Sequence, residues 1–165
     1  MAWLAPADPA RPPFEAWLSH RPELRDLYKR FYGAIWDEGL LPRSIVELCR
    51  LRIAQLHDCA AELAVRDPEA GLSEEQLQQL DWWERSAAFS PAEKAALSLA
   101  EKMPWAHHQI EDAEYAELRN HLSEPQTVAL TVALALMDAN CRLRLVFDLE
   151  PSAATSVPSA AGPLH

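Results

Sequence analysis

Cysteine and basic residues are scarce in this chain of 165 residues. It has only three cysteines, an odd number spread over positions 49, 59 and 141. This count excludes the dense disulfide framework of small secreted proteins and predicts reduced thiols. Lysine and arginine number 15 against 25 aspartate and glutamate residues, which gives a net charge of −10. Nucleic acid and anionic membrane surfaces are therefore unfavourable partners, because both repel an acidic protein.

Long apolar runs and strand patterns are also missing. The longest apolar run, residues 128–137, is interrupted by Thr131 and is shorter than the roughly 18 residues of a membrane span. Residues 1–14 lack the basic and apolar regions of a secretory leader, so we expect a soluble, cytoplasmic protein. No segment shows the alternation of apolar and polar residues that is typical of a half-buried strand.

The chain divides into one domain with two different ends. Four prolines within residues 1–14 predict an extended N-terminal arm over residues 1–20, available to contact a neighbouring subunit. Residues 150–165 are small, polar and proline-containing, which predicts a disordered tail. The 49% apolar content suits a single globular domain over residues 21–149.

Helix signals are frequent between these ends and predict an all-α domain. Pro22 and Gly39 bracket a helix in which Leu24, Leu27, Tyr28, Phe31 and Ile35 recur every three or four residues. A serine followed three residues later by Gln or Glu predicts a capping box at three further helix starts. An apolar stretch without a polar face predicts that the last helix lies in the core or at a subunit contact. We expect helices near residues 22–38, 42–56, 59–67, 74–85, 91–103, 112–121 and 124–148.

One group of residues is the candidate reactive site of the sequence. Glu47 is followed after eleven residues by Cys59, and then by Glu62 and Arg66. If residues 59–67 are helical, the last three side chains lie on one face, within about 60° of each other. A cysteine in the first turn of a helix is favoured as a thiolate by the positive end of the helix dipole, and Arg66 would add to this effect. The carboxylates of Asp58 and Glu62 would oppose it, so the sequence leaves the direction of the net shift in the pKa of Cys59 open.

These residues resemble the carboxymuconolactone decarboxylase and alkylhydroperoxidase D-like (AhpD-like) family. In its peroxidase branch the pattern is Glu, eleven residues, Cys-x-x-Cys, three residues and His. Glu47 and Cys59 match this pattern, whereas Glu62 and Arg66 occupy the positions of the second cysteine and the histidine. The resemblance extends over residues 24–147 and is carried by several separated segments, which are Leu41-Pro42, Leu51-Arg52-Ile53-Ala54, Trp83 to Phe89-Ser90, Ala95-Ala96-Leu97, Ala100-Glu101 and Arg142.

The resemblance implies a fold, an assembly and a chemistry. The fold is an all-α domain of about six to seven helices, and the subunits associate as dimers, trimers or hexamers. The chemistry is that of an antioxidant oxidoreductase, a thiol-dependent peroxidase that requires no cofactor or metal. Reduction of a peroxide by a dithiol needs a thiolate to attack the O–O bond and a second thiol to resolve the sulfenic acid. The family's attacking sulfur is usually the second cysteine, and here that position holds Glu62.

Three functions follow as hypotheses. In the first, Cys59 reacts with a peroxide, Glu47 and His57 handle protons, and an external thiol resolves the product. In the second, a cofactor-free decarboxylase or isomerase binds a small carboxylate through Arg66, while Glu47 or Glu62 moves a proton. In the third, catalysis has been lost and the oligomer binds a small molecule or a protein.

A purely structural interpretation of each residue stands beside these hypotheses. Glu62 and Arg66 have the favourable i, i+4 order of a helical ion pair, and free cysteines such as Cys59 are commonly packed in the core. Glu47 has Arg43 and Arg50 within one turn as partners that would keep it at the surface. Cys49 points away from Glu47 and is expected in the core. Adjacent histidines at 107 and 108, with Glu111 nearby, are expected to be solvated rather than to bind a metal.

Overall fold

The regular structure of this protein is helical. The computed structural model describes residues 4–37 and 39–149, and these ranges contain eight α-helices, short 3₁₀ turns and no β-strand. The prediction of an all-α fold is therefore confirmed. The helices are α1 (Pro13–Leu18), α2 (Pro22–Asp37), α3 (Arg43–Leu56), α4 (Ala60–Leu63), α5 (Glu74–Gln79), α6 (Pro91–Lys102), α7 (Asp112–Arg119) and α8 (Glu124–Val146).

Serine caps fix the starts of three helices where the sequence places them. Ser73, Ser90 and Ser123 each accept the backbone N–H three residues later and receive a side chain in return, which forms a capping box. These caps satisfy amides that have no partner within the helix. Helix α7 begins at Asp112 as predicted, and its N-cap is Glu111, whose N–H donates to the Glu114 carboxylate.

Helix α3 lies at the centre of the fold. It packs against α6 on one side and α8 on the other, and its residues 45–51 are all buried. Cys49 is completely buried on this helix, so its predicted place in the core is confirmed. In α8, Leu130 and Leu134 are buried, whereas Val128 and Val132 remain exposed. The apolar run of α8 thus supplies core residues on one face and an exposed apolar surface on the other.

The apolar stripe of α2 predicted the helix but not its buried face. Tyr32 and Trp36 enter the core, with 4% and 2% of their surfaces exposed. Leu24, Leu27 and Phe31 are all more than half exposed. The periodicity therefore marks an apolar surface on α2 that no other described residue covers.

The N-terminal arm is less extended than expected. Residues from Pro13 form α1, because a proline at the first helical position needs no hydrogen-bond partner for its missing N–H. Phe14 packs edge-on against Tyr28, with 5.3 Å between the ring centroids. Trp17 lies against Phe147 at 3.8 Å. Within one chain, α1 thus packs onto α2 and the end of α8, whereas an arm directed at a neighbouring subunit was expected. The tail expected over residues 150–165 lies outside the described residues.

Helix α4 is shorter than predicted. It ends at Leu63, whereas the sequence suggested a helix as far as residue 67. Arginine side chains bind the backbone carbonyls at the end of α4. Arg50 donates to the carbonyls of Glu62 and Val65, and Arg66 donates to the carbonyl of Leu63. None of the helices in the described ranges is long and apolar enough to cross a membrane.

Candidate functional site

A buried ion pair lies at the middle of α3. Glu47 and Arg50 are one helical turn apart, and they are only 1% and 2% exposed. Arg50 Nε donates to Glu47 Oε2 and Arg50 Nη2 donates to Glu47 Oε1, both at 2.8 Å. The backbone N–H of Asp67 donates to Glu47 Oε1 at 3.1 Å. Glu47 does pair with Arg50, but the expected surface position is wrong, because the pair is enclosed in the core.

Arg50 joins α3 to α4 and to the loop that follows. Its Nη1 donates to Glu62 Oε2 at 3.0 Å and to the Glu62 carbonyl at 2.7 Å. Its Nη2 also donates to the Val65 carbonyl at 2.8 Å. All five N–H donors of the guanidinium are therefore used. Burial opposes its charge, but the bonds and charges of Glu47 and Glu62 outweigh that cost and raise the pKa of Arg50.

Glu62 lies between two arginines. One carboxylate oxygen accepts from Arg50, and the other lies 2.5 Å from Arg144 Nε on α8. The Nε–H of Arg144 is not directed at that oxygen, so this contact is an ion pair rather than a hydrogen bond. The Arg144 guanidinium also stacks over the Phe14 ring at 4.6 Å. Two acids and two arginines thus form a group of balanced formal charge, in which Glu47, Arg50 and Glu62 are buried and Arg144 is partly exposed.

The predicted pairing of Glu62 with Arg66 is wrong. Arg66 is exposed and lies beyond the end of α4. Its guanidinium donates to the carbonyls of Leu63 and Val65. Because α4 stops at Leu63, the i, i+7 geometry that would bring Arg66 beside Cys59 does not arise.

Cys59 is the N-cap of α4 and is 1% exposed. The chain reaches it through Asp58, whose φ of +51° lies in the left-handed region that aspartate tolerates better than most residues. The Cys59 N–H donates to the Ala54 carbonyl at 2.8 Å, which holds the turn against the end of α3. Asp58 and Ala60 on either side are exposed, so the thiol lies just below the surface.

The side chain of Cys59 meets a second cysteine. It is hydrogen-bonded to Cys141 of α8, which is 2% exposed. This bond lowers the pKa of Cys59 to about 7 against the opposing effect of burial, with help from the Glu62 backbone and the Arg144 charge. The same bond and burial raise the pKa of Cys141. Within this pair, the thiolate form is therefore favoured at Cys59 rather than at Cys141.

Two tyrosines of α2 close the site opposite Glu62. The hydroxyl of Tyr28 donates to Asn140 Oδ1 on α8, and Tyr32 is buried one turn further along. Burial, together with the nearby Glu62 charge, raises the pKa of both tyrosines. Both remain neutral, so they contribute hydrogen-bond donors to the site without adding charge.

His57 belongs to a different cluster. Its Nε2 lies 2.6 Å from Asp138 Oδ1, and its ring contacts Trp105 at 4.8 Å between centroids. Arg142 binds the same aspartate and stacks over the same tryptophan. The structure thus assigns His57 to a contact between α3 and α8, and the proposed role of His57 as a base beside Cys59 has no hydrogen bond to support it.

The sequence pattern did not identify two members of the site, Cys141 and Arg144. Both come from α8, more than 80 residues after Cys59, so spacing along the chain could not connect them. Asn140, Cys141 and Arg144 follow the long apolar part of α8 on one helical face. A run of polar side chains after a buried stretch is the signal that could have indicated their position.

Two further features lie outside this site. His107 and His108 form an exposed 3₁₀ turn, and the described residues contain no group of three or more His, Cys, Asp or Glu side chains arranged to hold a metal. A surface cavity of about 380 Å³ lies between α6, α7 and the segment before α6, with Trp83, Phe89 and Lys94 in its wall. None of its lining residues belongs to the thiol site.

Comparison with known sequences gives the family of this chain. A sequence model of the carboxymuconolactone decarboxylase family matches residues 22–102. An uncharacterized protein of Bacillus subtilis (strain 168), YdfG, is 30% identical over 101 residues, which are 59% of this chain and 69% of that protein. The chain belongs to the carboxymuconolactone decarboxylase family, as the sequence resemblance implied.

Solved structures agree on the fold. A protein of unknown function from Agrobacterium tumefaciens, proposed to be the antioxidant defence protein AhpD, gives a TM-score of 0.71 at 22% identity over 82% of this chain and 95% of its own. The debrominase Bmp8 gives a TM-score of 0.73 at 15% identity, over 86% of this chain and 78% of its own. A third structure is the alkylhydroperoxidase AhpD core of an uncharacterized peroxidase-related protein from Ralstonia eutropha JMP134. Its TM-score is 0.63 at 19% identity, over 82% of this chain and 74% of its own.

Proposed function

We propose that this protein is a thiol-dependent peroxide reductase whose reacting atom is the sulfur of Cys59. The observation that carries the proposal is the contrast among the three cysteines. The surroundings of Cys59 lower its thiol pKa, whereas burial raises the pKa of Cys49. The pKa of Cys141 is raised as well. A thiolate is the nucleophilic form of cysteine, so Cys59 is the cysteine prepared to attack.

The reaction at Cys59 has a simple balance. The thiolate attacks one peroxide oxygen, an S–O bond forms and the O–O bond breaks. Cys59 becomes a sulfenic acid, and the peroxide is reduced to an alcohol or water after it takes up a proton. One external thiol then displaces water from the sulfenic acid to form a mixed disulfide, and a second releases the Cys59 thiol, so that the two external thiols are oxidised to their disulfide. Cys59 itself is only 1% exposed, so a peroxide reaches the sulfur only if the turn that carries the exposed residues Asp58 and Ala60 moves.

The role of Glu47 in this proposal is to position other groups. Both of its oxygens accept hydrogen bonds from Arg50, and one also accepts from the Asp67 amide. Through Arg50 it holds Glu62 and the carbonyls at the end of α4. The acid in the family pattern therefore fixes the segment that carries Cys59, and it is not assigned a proton transfer here.

The decarboxylase or isomerase hypothesis is less well supported. Its substrate-binding arginine, Arg66, is exposed and bound to backbone carbonyls. Its acid-base candidates, Glu47 and Glu62, are held by Arg50 and Arg144. A substrate would have to displace a buried ion pair to reach either acid, which is strongly unfavourable.

We also propose that the protein forms a homo-oligomer. Leu24, Leu27 and Phe31 form a continuous exposed apolar stripe on α2, and patches of this kind mark protein interfaces. A second copy of this chain is the partner that we propose for the stripe, since association through helical faces is what membership of the family implies.

The experiment is a peroxide-consumption assay with hydrogen peroxide or cumene hydroperoxide and excess dithiothreitol. We expect Cys59→Ser to abolish the enzymatic rate, because serine is not a comparable nucleophile at neutral pH. Cys49→Ala is the matched control, since it removes a core cysteine that has no part in the site, and it should retain the rate. If Cys59→Ser consumes peroxide as fast as the unmodified protein, the proposal is wrong. If the unmodified protein consumes none, the non-catalytic hypothesis replaces it.

A further inference from the structure

We propose that Cys59 and Cys141 form a reversible disulfide between the start of α4 and α8, so that Cys141 is the resolving cysteine of this protein. This inference rests on the proposed function, since a peroxide supplies the oxidising step. It also assigns a role to a residue that lies outside the family's Cys-x-x-Cys pattern. The position of the second cysteine in that pattern is held by Glu62, and the missing thiol comes from a distant part of the chain.

The structure places the two cysteines on neighbouring parts of the fold. Cys59 and Cys141 belong to the same buried cluster, and each is three residues before one partner of the Glu62–Arg144 ion pair that joins α4 to α8. An interaction between the two side chains also contributes to the lowered pKa of Cys59. The pKa of Cys49 is affected by burial and by Glu93, and by neither of the other thiols. Cys59 and Cys141 are therefore the two cysteines that we propose as the pair.

The backbone around Cys59 can supply the movement that bond formation requires. A disulfide has an S–S length of about 2.05 Å, so the sulfurs must move closer than hydrogen-bond contact. Helix α4 has only four residues, and Cys59 precedes it as the N-cap. Asp58 beside it has a left-handed backbone conformation. The movement that we propose is confined to the turn at Asp58 and Cys59, which precedes the part of α4 held by Arg50. Helix α8, with 23 residues, stays in place.

The resolving step balances without a further reactant. After the peroxide has converted Cys59 to a sulfenic acid, the sulfur of Cys141 attacks the sulfur of Cys59. An S–S bond forms, the S–O bond breaks, and the hydroxide leaves as water with the proton of the Cys141 thiol. An external dithiol then reduces the disulfide and restores both thiols. Because Cys141 is buried beside the reacting sulfur, it can resolve the sulfenic acid before an external thiol reaches it.

Trypsin separates the three cysteines into different peptides, which makes the product easy to assign. Cleavage after arginine gives residues 44–50 with Cys49, residues 53–66 with Cys59 and residues 120–142 with Cys141. The reduced full-length protein is treated with one equivalent of hydrogen peroxide, alkylated, digested and analysed by mass spectrometry. We expect peptide 53–66 linked to peptide 120–142, and loss of the link after reduction.

Variants and a trapping reagent distinguish this inference from the proposed function. In Cys141→Ser, a hydroxyl can still donate to the thiolate but cannot form a disulfide, so dimedone should trap a sulfenic acid on peptide 53–66. In Cys49→Ala the linked peptides should form as in the unmodified protein. Circular dichroism confirms that each variant is folded. A trapped sulfenic acid on Cys59 of the unmodified protein, without a link, would overturn the inference and leave peroxide reduction standing.

If peroxide leaves Cys59 unchanged, that result contradicts the proposed function but not the cysteine pair. A second oxidant then tests the pair. Diamide oxidises neighbouring dithiols directly, with transfer of both thiol hydrogens to its N=N bond, and needs no sulfenic acid. A link between peptides 53–66 and 120–142 after diamide treatment would support the redox pair independently of peroxide. No link with either oxidant would rule the pair out.

Discussion

Arg50 holds Glu47 through two parallel hydrogen bonds of 2.8 Å inside the helical core. Glu47, which the peroxidase hypothesis assigned to proton handling, therefore lies in a closed ion pair, and its partner extends to Glu62 and Val65. The pair connects three segments of the chain and holds the end of α4, the short helix that begins after Cys59. Glu47 and Cys59 share a site, but their connection runs through Arg50 and Glu62.

Removal of Arg50 should strongly destabilise the protein. Arg50→Met leaves the buried Glu47 without a countercharge and deprives Glu62 of one of its two arginines. We expect a loss of about 3–5 kcal/mol in the free energy of unfolding, as is typical when one partner of a buried pair is removed. Urea denaturation followed by tryptophan fluorescence measures this loss.

The matched control is Arg66→Met, the same substitution at an exposed arginine. It should change the free energy of unfolding by only about 0.5 kcal/mol or less, as surface substitutions do. Equal losses in the two variants would contradict the structural role assigned to Arg50. Full retention of peroxide consumption in Arg66→Met is also expected, because Arg66 has no contact with the thiol site.

The reactivity of Cys59 should follow pH with a midpoint near 7. The thiolate is the reactive form, and the pKa of Cys59 is lowered to about 7, so the rate rises as the pH increases through that value. Cys141→Ala removes the bond that contributes most to the lowered pKa and should shift the midpoint upward. Cys141→Ser retains a donor and should stay close to the unmodified protein. Alkylation of peptide 53–66 by iodoacetamide between pH 5 and 10 provides the measurement, and coincident profiles for all three proteins would refute this account.

Charges next to Cys59 should shift the same midpoint in opposite directions. The Glu62 carboxylate raises the pKa of Cys59, and the Arg144 guanidinium lowers it. Glu62→Gln should therefore move the alkylation midpoint to lower pH, and Arg144→Met should move it to higher pH. Arg52→Met is a suitable control because Arg52 pairs with Glu101 and Asp81 elsewhere on the surface. Shifts of the same sign in both site variants would show that the charges act indirectly.

His57 should prove structural rather than catalytic. Its ring is held by Asp138 and packs on Trp105, so His57→Gln should lower the free energy of unfolding by about 1 kcal/mol. Peroxide consumption at saturating dithiothreitol should be unchanged. Asp138→Asn should lower the stability by at least as much, because Asp138 also binds Arg142, and it should likewise leave peroxide consumption unchanged. Loss of activity with unchanged stability would restore His57 to the catalytic site.

The exposed stripe of α2 should control association. Phe31→Glu introduces a charge into the apolar patch of Leu24, Leu27 and Phe31, and we expect it to convert the oligomer to a monomer. Trp82→Glu changes another strongly exposed aromatic residue and should leave the oligomer intact. Light scattering coupled to size exclusion gives the mass of each species, and an unchanged mass for Phe31→Glu would exclude this stripe as the interface.

The sequence specified the helices with considerable accuracy, since their signals are local. Proline at a first helical position, serine with a Gln or Glu three residues later, and glycine after the last turn each act within a few residues. Ser90 and Ser123 begin α6 and α8 as predicted. The end of α4 could not be predicted in this way, because arginines capture its last carbonyls, and one of them, Arg50, comes from another helix.

The linear pattern alone determined the helical fold, the family and the presence of a cysteine at the start of a short helix after Glu47. Only the tertiary structure decided which groups meet there, because ion pairs and thiol contacts depend on where separate helices cross. Arg66 is seven residues from Cys59 and lies at the surface, whereas Cys141 is 141 − 59 = 82 residues away and bonds to it. Packing of α8 against α3 brings that distant thiol into place, and spacing along the chain carries no information about it.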